Sequence, residues 1–460
     1  MTDTAFSSLP LSTPMLANIA TLGFTEMTPI QAQSLPLILK GQDVIAQAKT
    51  GSGKTAAFGL GLLHPLNPRY FGCQALVLCP TRELADQVAK DLRRLARGAD
   101  NIKVLTLCGG VPIGPQVGSL EHGAQVIVGT PGRVQKHLLK GTLALDGLNT
   151  LVLDEADRML DMGFYDSIAE IIKQTPERRQ TLLFSATYPS GIKQLATSFM
   201  RDPAQIKVAS QHDAVQIEQR FYEIEPEQRL DAVARLLYSL RPTSCVAFCF
   251  TRQQCQEVAD HLNAKGVSAM AINGDLEQRD RDQVLGMFAN RSLSVLVATD
   301  VAARGLDIEA LDLVINVELG RDPETHIHRI GRTGRAGEQG LAVSLVAPAE
   351  IRRALAIENQ QNAPLNWQPL SEVKPHHETG PLIAPMVTLC IGAGRKQKLR
   401  PGDILGALTG EAGIPGSEVG KIAIFDQQAY VAVARKVADT ALARLTQGRI
   451  KGKSLRVRML

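Results

Sequence analysis

Tryptophan occurs once in 460 residues and aromatics together make up 4%, too few for a long channel in which base after base stacks on a ring. The seven cysteines, at 73, 79, 108, 245, 249, 255 and 390, form no CxxC pair. That excludes the common zinc spacing and leaves buried, reduced thiols inside aliphatic runs such as ALVLC and CVAFCF. No apolar stretch approaches the roughly 18 residues that cross a bilayer. The start, MTDTAFSSLP, lacks a basic segment followed by an apolar one. A cytoplasmic protein with no structural metal and no membrane partner is expected. What is present is ordinary for globular domains: 44% hydrophobic and 21% charged residues, in a chain long enough for two to four domains.

The net charge of +4 conceals a division. Residues 381–460 carry 13 Lys plus Arg against 5 Asp plus Glu, a surplus of 8, while the preceding residues carry 37 against 41, a deficit of 4. A basic stretch with aliphatic runs inside it is a folded unit rather than a solubilising tail, and an anionic polymer such as nucleic acid is its first expected partner.

Upstream, short aliphatic runs recur: DVIAQ (43–47), ALVLC (75–79), QVIVG (125–129), LVLD (151–154) and TLLFS (181–185), then VAFCF (246–250), SAMAI (268–272), VLVAT (295–299), LVINV (313–317) and LAVSLV (341–346). Continuous apolar strands alternating with helix-period sequence predict parallel sheets buried on both faces. The polar stretch 207–225 separates two groups of five, so two α/β domains in tandem are expected. Ligands bind such sheets at the carboxyl ends of the strands.

The first strand runs into AKTGSGKT, residues 48–55. Small residues there let backbone N–H groups turn toward phosphate oxygens, Lys54 reaches the β- and γ-phosphates of ATP, and Thr55 offers a hydroxyl to Mg²⁺. Ala48 stands where the strict P-loop pattern has glycine, so Ala48, Thr50, Gly51, Ser52, Gly53, Lys54 and Thr55 match a variant of it. A second strand ends in LVLDEADRML, residues 151–160. Three carboxylates so close together cost free energy unless a cation offsets them; the alternative for Asp154 or Asp157 is a cap on the next helix. With the P-loop present, Asp154 is assigned to Mg²⁺ and Glu155 to orienting and deprotonating the attacking water. The second group of strands contains no GKT or GKS. It ends instead in HRIGRTGR (328–335), whose Arg332 and Arg335 suit arginine fingers on the transferring phosphoryl group.

Taken together, these motifs resemble the DEAD-box RNA helicase family over roughly residues 1–365. The resemblance implies that Gln31 of GFTEMTPIQ (23–31) reads adenine with Phe6 stacking on it; Met27 replaces the usual proline of that motif. It implies RNA contacts from Pro80, Thr81 and Arg82, from Gly109 and Gly110, and from Thr130 and Arg133, with Ser185 and Thr187 of SAT coupling hydrolysis to strand separation. In the second domain it implies Gln278, Arg281, Thr299 and Asp300 near RNA, Asp307 near the ribose and His328 near the nucleotide. The fold implied is two tandem RecA-like domains, 1–208 and 215–365, a linker over 366–383, and a C-terminal α+β ferredoxin-like RNA-recognition domain over 384–460.

The last of these is also legible directly. Residues 386–394, 401–410, 421–425, 429–434, 436–446 and 454–459 follow the order β-α-β-β-α-β. Its third strand offers Tyr430 but aliphatics where stacking aromatics are usual. The arrangement resembles the DbpA branch of the family, in which a similar domain recognises a hairpin of 23S ribosomal RNA, and this implies large-subunit assembly intermediates as partners. Arg395, Lys396, Lys398 and Arg400, with Lys451 and Lys453, are the candidate contacts. His376 and His377, in a linker without nearby cysteine, read as solvent-exposed. Three functions stay in view: an RNA helicase, an ATP-gated RNA clamp, and a DNA translocase, the last disfavoured by the RNA-type motifs.

Overall fold

A strand with no polar side is stable only if both its faces are covered, and in the computed structural model of the protein the aliphatic runs supply most of the strands of two parallel sheets. The structure describes residues 4–48, 51–99, 101–188, 190–208, 217–303, 311–334, 339–374, 380–410, 413–425 and 427–460. They fall into two compact units, one ending at residue 208 and the other beginning at 217.

The first unit holds seven strands: β1 (Val44–Gln47), β2 (Ala75–Leu78), β3 (Val104–Leu107), β4 (Val126–Gly129), β5 (Thr150–Asp154), β6 (Gln180–Ser185) and β7 (Ala204–Lys207). Their spatial order is β3-β4-β2-β5-β6-β1-β7, with every pairing parallel. Alternate residues feed two cores. Val44, Val77, Val152 and Leu182 face one layer of helices, and Ile45, Leu76, Leu151 and Leu183 face the other.

The second unit contains a six-stranded parallel sheet built from β8 (Ile217–Glu223), β9 (Cys245–Cys249), β10 (Ala269–Ile272), β11 (Val295–Thr299), β12 (Leu313–Asn316) and β13 (Gly340–Val346), in the order β10-β11-β9-β12-β13-β8. The stretch 207–225, expected as a polar break, therefore contains a strand. β8 pairs with β13 over seven residues at the sheet edge, where a half-exposed strand keeps polar side chains. β3 and β7, likewise absent from the sequence reading, are edge strands too.

The C-terminal part is a four-stranded antiparallel sheet of β14 (Met386–Ile391), β15 (Val419–Ile424), β16 (Ala429–Ala434) and β17 (Val457–Met459), in the order β15-β16-β14-β17. Helices Pro401–Thr409 and Ala438–Gln447 cover one face through Leu389, Ile391, Val431 and Val433. The opposite face, with Thr388, Cys390, Tyr430 and Ala432, is also buried. It lies on the helix Gln278–Ala289 and the turn after it: Asn290 Nδ2 donates to Thr388 Oγ1 at 2.9 Å, and Thr388 Oγ1 donates to Ser292 Oγ at 2.8 Å.

The linker is not a free tether. Trp367 bridges to Phe221, Arg235 donates to the carbonyls of Ser371 and Val373, Arg241 donates to those of Gly380 and Pro381, and Leu382 pairs with Val267. All seven cysteines are free and buried. His376 and His377 lie outside the described residues. No described helix is long and apolar enough to cross a membrane.

Candidate nucleotide and nucleic-acid sites

The order of the first sheet sorts its loops by chemistry. The P-loop follows β1, SAT follows β6 and DEAD follows β5, and these three strands are neighbours. PTRELADQ follows β2, the GG pair follows β3 and TPGR follows β4, which are neighbours on the other side.

On the nucleotide side, Gly51 and Gly53 have φ of +83° and +91°, a region open to glycine, and lead into the helix Lys54–Leu63. Lys54 Nζ is buried and has no hydrogen-bond partner among the described residues. A buried ammonium that feels the Asp154 charge but makes no hydrogen bond has its donors left over, so the loop fits a phosphate. Gln31 clips the adjoining segment to it, accepting from Thr28 N at 2.9 Å and donating to Gly53 O at 3.0 Å. A Cβ at Gly53 would collide with the Gln31 amide, 2.5 Å away. Phe6 is buried with its ring 6.3 Å from Phe24. Thr50, Asp307 and Arg335 lie outside the described residues.

Asp154 is buried at the end of β5. Burial pushes its carboxyl up to about 6, against the pull of Lys54 and with a further push from Glu155. A dication there would offset both the burial and the Glu155 charge, so the buried carboxylate fits a site for Mg²⁺. Glu155 has left-handed backbone (φ 51°, ψ 51°), and its carboxylate meets Arg158 Nη1 at 2.7 Å, both side chains being buried. Asp157, given no role by the family motifs above, is the hub of this side. Its Oδ2 accepts from Ala186 N at 3.1 Å, Thr187 N at 2.9 Å and Thr187 Oγ1 at 2.9 Å, and its Oδ1 accepts from Arg158 N at 3.0 Å. Ser185 O accepts from Ala48 N at 3.0 Å, so SAT is bonded to both the P-loop strand and DEAD. The signal for Asp157 was the third acid itself, which neither metal nor base chemistry required.

On the other side, Thr81 Oγ1 caps the helix Arg82–Leu95 at Leu84 N. Arg82 lies over Gly110, whose φ of +70° and absent side chain make room for the guanidinium. Arg133 braces the same loop: Nη1 donates to Gln116 Oε1 at 2.7 Å and Nη2 to Val111 O at 2.8 Å, while Gln116 Nε2 donates to Cys108 O at 3.0 Å. Gln116 belongs to no motif and was missed. Thr130, preceding Pro131, starts the helix that carries Arg133, and Pro80 and Gly109 complete the cluster of loops.

In the second unit Gln278 and Arg281 lie on the first turn of the helix Gln278–Ala289. Gln278 Nε2 donates to Asp282 Oδ1 at 2.7 Å, and Arg281 Nη2 donates to Ala302 O at 2.8 Å, just past Thr299. The Asp300 carboxylate is taken bidentately by buried Arg329, with Nε at 2.6 Å and Nη2 at 2.8 Å, so it anchors a loop where the family pattern implied an RNA neighbour. Arg329 also donates to Asn316 and to Glu318 O, and stacks over Phe248. It was missed because nothing local distinguishes it from the other arginines of HRIGRTGR. His328 sits on the helix Pro323–Ile330, and Arg332 beyond it is buried.

In the C-terminal part, Ile391 of β14 pairs with Val457 of β17, which brings loops 392–400 and 448–456 to one end. Lys451 Nζ donates to Lys398 O at 2.7 Å and stands 3.7 Å from Asp403. Arg395, Lys396, Lys398, Arg400, Lys451 and Lys453 are all exposed around that junction.

Family models match along most of the chain: DEAD/DEAH box helicase over residues 28–195, helicase conserved C-terminal domain over 228–337, and DbpA RNA binding domain over 388–459. The chain is 56% identical to the ATP-dependent RNA helicase DbpA of Escherichia coli K12, over 99% of this chain and 100% of that one. It is 45% identical to the DEAD-box ATP-dependent RNA helicase CshA of Bacillus subtilis 168, over 77% of this chain and 72% of the relative. Among solved structures, Saccharomyces cerevisiae Dbp5 bound to RNA and ADP BeF3 aligns with a TM-score of 0.72 at 31% identity, covering 80% of this chain and 96% of that one.

Proposed function

The chain belongs to the DEAD-box ATP-dependent RNA helicases, and on that premise we propose that it separates short RNA duplexes and is directed by its C-terminal domain to a hairpin of 23S ribosomal RNA, in assembly of the large (50S) subunit in the bacterial cytoplasm. The observation that carries this reading is the strand order of the first sheet, which groups the P-loop, DEAD and SAT on one side and PTRELADQ, the GG pair and TPGR on the other, with Asp157 and Thr187 bonding DEAD to SAT. Support for targeting comes from the two basic loops gathered at one end of a domain of the DbpA type.

In this reading Lys54 binds the β- and γ-phosphates of ATP, and the N–H groups of residues 51–55 surround them. Asp154 and Thr55 hold Mg²⁺, which when bound neutralises phosphate charge. Glu155 accepts the proton of the attacking water, with Arg158 fixing the carboxylate's direction. Gln31 and Phe6 select adenine, Asp307 and His328 contact the nucleotide, and Arg332 and Arg335 stabilise charge on the transferring group. Asp157 transmits the change to SAT through Thr187. Thr81, Arg82, Gly110, Thr130, Arg133, Gln278 and Arg281 present hydroxyls, amides and guanidinium groups to RNA phosphates, which position a strand without reading its bases.

The test compares the full chain with one ending at residue 383, measuring RNA-stimulated ATPase and strand displacement with a 23S hairpin fragment and with an unrelated duplex of equal length. The full chain should prefer the hairpin by roughly 10²-fold or more, and the truncated chain should respond equally to both at high concentration. A truncated chain that keeps the full preference would place specificity in the core. ATP hydrolysis without displacement would favour an RNA clamp.

A further inference from the structure

An open four-stranded sheet of β-α-β-β-α-β order ordinarily offers the face away from its helices to bases. Here that face is covered. Thr388, with Cys390 and Tyr430 beside it, lies against one side of the helix Gln278–Ala289 and the turn after it, and Asn290, Ser292 and Thr388 form a closed set of buried hydrogen bonds. Polar groups that satisfy one another out of water fix one seating and penalise others. The same helix therefore does two jobs with adjacent faces. Gln278 and Arg281 lie on one, while Arg279, Gln283 and Asn290, spaced four and seven apart, face the C-terminal sheet.

At the open edge of this seam stand two exposed arginines, one from each side. Arg279 Nε donates to Gln428 Oε1 at 3.2 Å, and Arg458 of β17 reaches Gln283 Oε1 at 3.5 Å. Both lie close enough to the Tyr430 hydroxyl to act on it: burial, with Cys390 and Asp282, pushes that group up to about 12, and the two guanidinium charges pull it back; Asp282 itself accepts from Gln278. Neither arginine pairs with a carboxylate among the described residues, and each keeps further N–H groups for a ligand. Arg456, exposed two residues before Arg458, continues the positive line toward the 448–453 loop.

We propose that Arg279 and Arg458 together form a binding site for consecutive phosphates of an RNA strand, joining the Gln278–Arg281 turn to the basic loops of the C-terminal domain in one continuous track. The site exists because the sheet is seated on the helix, and neither domain carries it alone. It rests on the RNA-binding reading above and adds a specific path to it. Specificity then comes from a rigid composite surface of fixed length, so the spacing between a recognised hairpin and the strand entering the core is set by the protein.

The test uses the full chain, a 23S hairpin fragment with a single-stranded extension, and RNA-stimulated ATPase titrated at several KCl concentrations. Arg279→Ala and Arg458→Ala should each raise the half-stimulating RNA concentration about three- to tenfold and remove about 0.7 from the log–log salt slope. Arg→Lys at either position should keep the slope. In an Asn290→Leu/Thr388→Val background, which removes the seam's hydrogen bonds, the effect of Arg458→Ala should shrink to below twofold. Should that background fail to fold, the salt slopes of the two alanine variants decide alone. Wild-type slopes in both, or an undiminished Arg458→Ala effect in the unseated protein, would overturn the composite site. If Lys453→Ala weakens stimulation while both arginine variants match wild type, the proposed function stands and this inference fails. If the hairpin does not stimulate even the wild type, the proposed function itself is what fails.

Discussion

Asp157→Asn removes one charge and changes almost no volume, which makes it a sharp probe of how hydrolysis reaches the RNA. The carboxylate accepts from Ala186 N, Thr187 N and Thr187 Oγ1 on one oxygen and from Arg158 N on the other. An asparagine oxygen turned toward SAT keeps those three donors in reach but loses the charge that strengthens them. Its amide then points at the Arg158 N–H, donor against donor. Hydrogen bonds to charged groups contribute about 1.5–3 kcal/mol and neutral ones about 0.5–1.5, so roughly 1 kcal/mol is lost at each of three bonds and the fourth is lost outright. The total is about 4.5–6 kcal/mol, shared between folding stability and the coupling of DEAD to SAT. Since 1.4 kcal/mol is a factor of ten, even a third of this lowers duplexes displaced per ATP about tenfold. Lys54 and Asp154 are untouched, so the ATP concentration for half-saturation should stay within about threefold. The assay measures strand displacement and ATP hydrolysis in one reaction, with Thr187→Val and the double variant completing a cycle. The two changes should be non-additive, because they share the Thr187 Oγ1–Asp157 bond. Unchanged displacement per ATP in Asp157→Asn, or full additivity with Thr187→Val, would refute the reasoning.

Glu155→Gln should retain ATP and RNA binding while steady-state hydrolysis falls about 10²-fold or more, the usual contribution of a positioned base; turnover within about threefold of wild type would remove the assignment. His326 gives a pH prediction. Burial first, and the Arg329 charge second, hold its imidazole at about 4 against an ordinary 6.5. The folded state keeps it neutral where the unfolded chain protonates it, so the stability it contributes is complete above pH 6.5 and lost as the pH falls toward 4, by about 3 kcal/mol in all. The single tryptophan, Trp367, packs at a tilt against Phe221, with ring centroids 5.7 Å apart, and Phe221 also packs against His326, so urea unfolding followed by its fluorescence reads this region. His326→Gln should flatten the pH dependence, and parallel curves for the two proteins would refute the attribution.

What the sequence by itself determined is local. The loops that carry the chemistry are short, consecutive and made of residues with few substitutes: glycines at positive φ beside Lys54, acids at the end of an apolar strand, arginines after another. Inner strands such as LVLD and VAFCF were legible because burial on both faces forbids polar side chains. The edge strands Val104–Leu107, Ala204–Lys207 and Ile217–Glu223 were not, because an edge strand is only partly buried and polar residues interrupt its apolar run. Tertiary structure alone decided the rest. The grouping of the P-loop, DEAD and SAT on β1-β6-β5 and of PTRELADQ, the GG pair and TPGR on β2-β3-β4 follows from strand order, which crossover connections set and no short segment encodes. The bonds from Asp157 to Thr187 span 30 residues, those from Arg329 to Asp300 span 29, and that from Asn290 to Thr388 spans 98. Each is a pairing of common polar residues whose meaning lies in exclusion from water. That exclusion is produced by the packed elements around them, so the same residues read in sequence are indistinguishable from solvated ones.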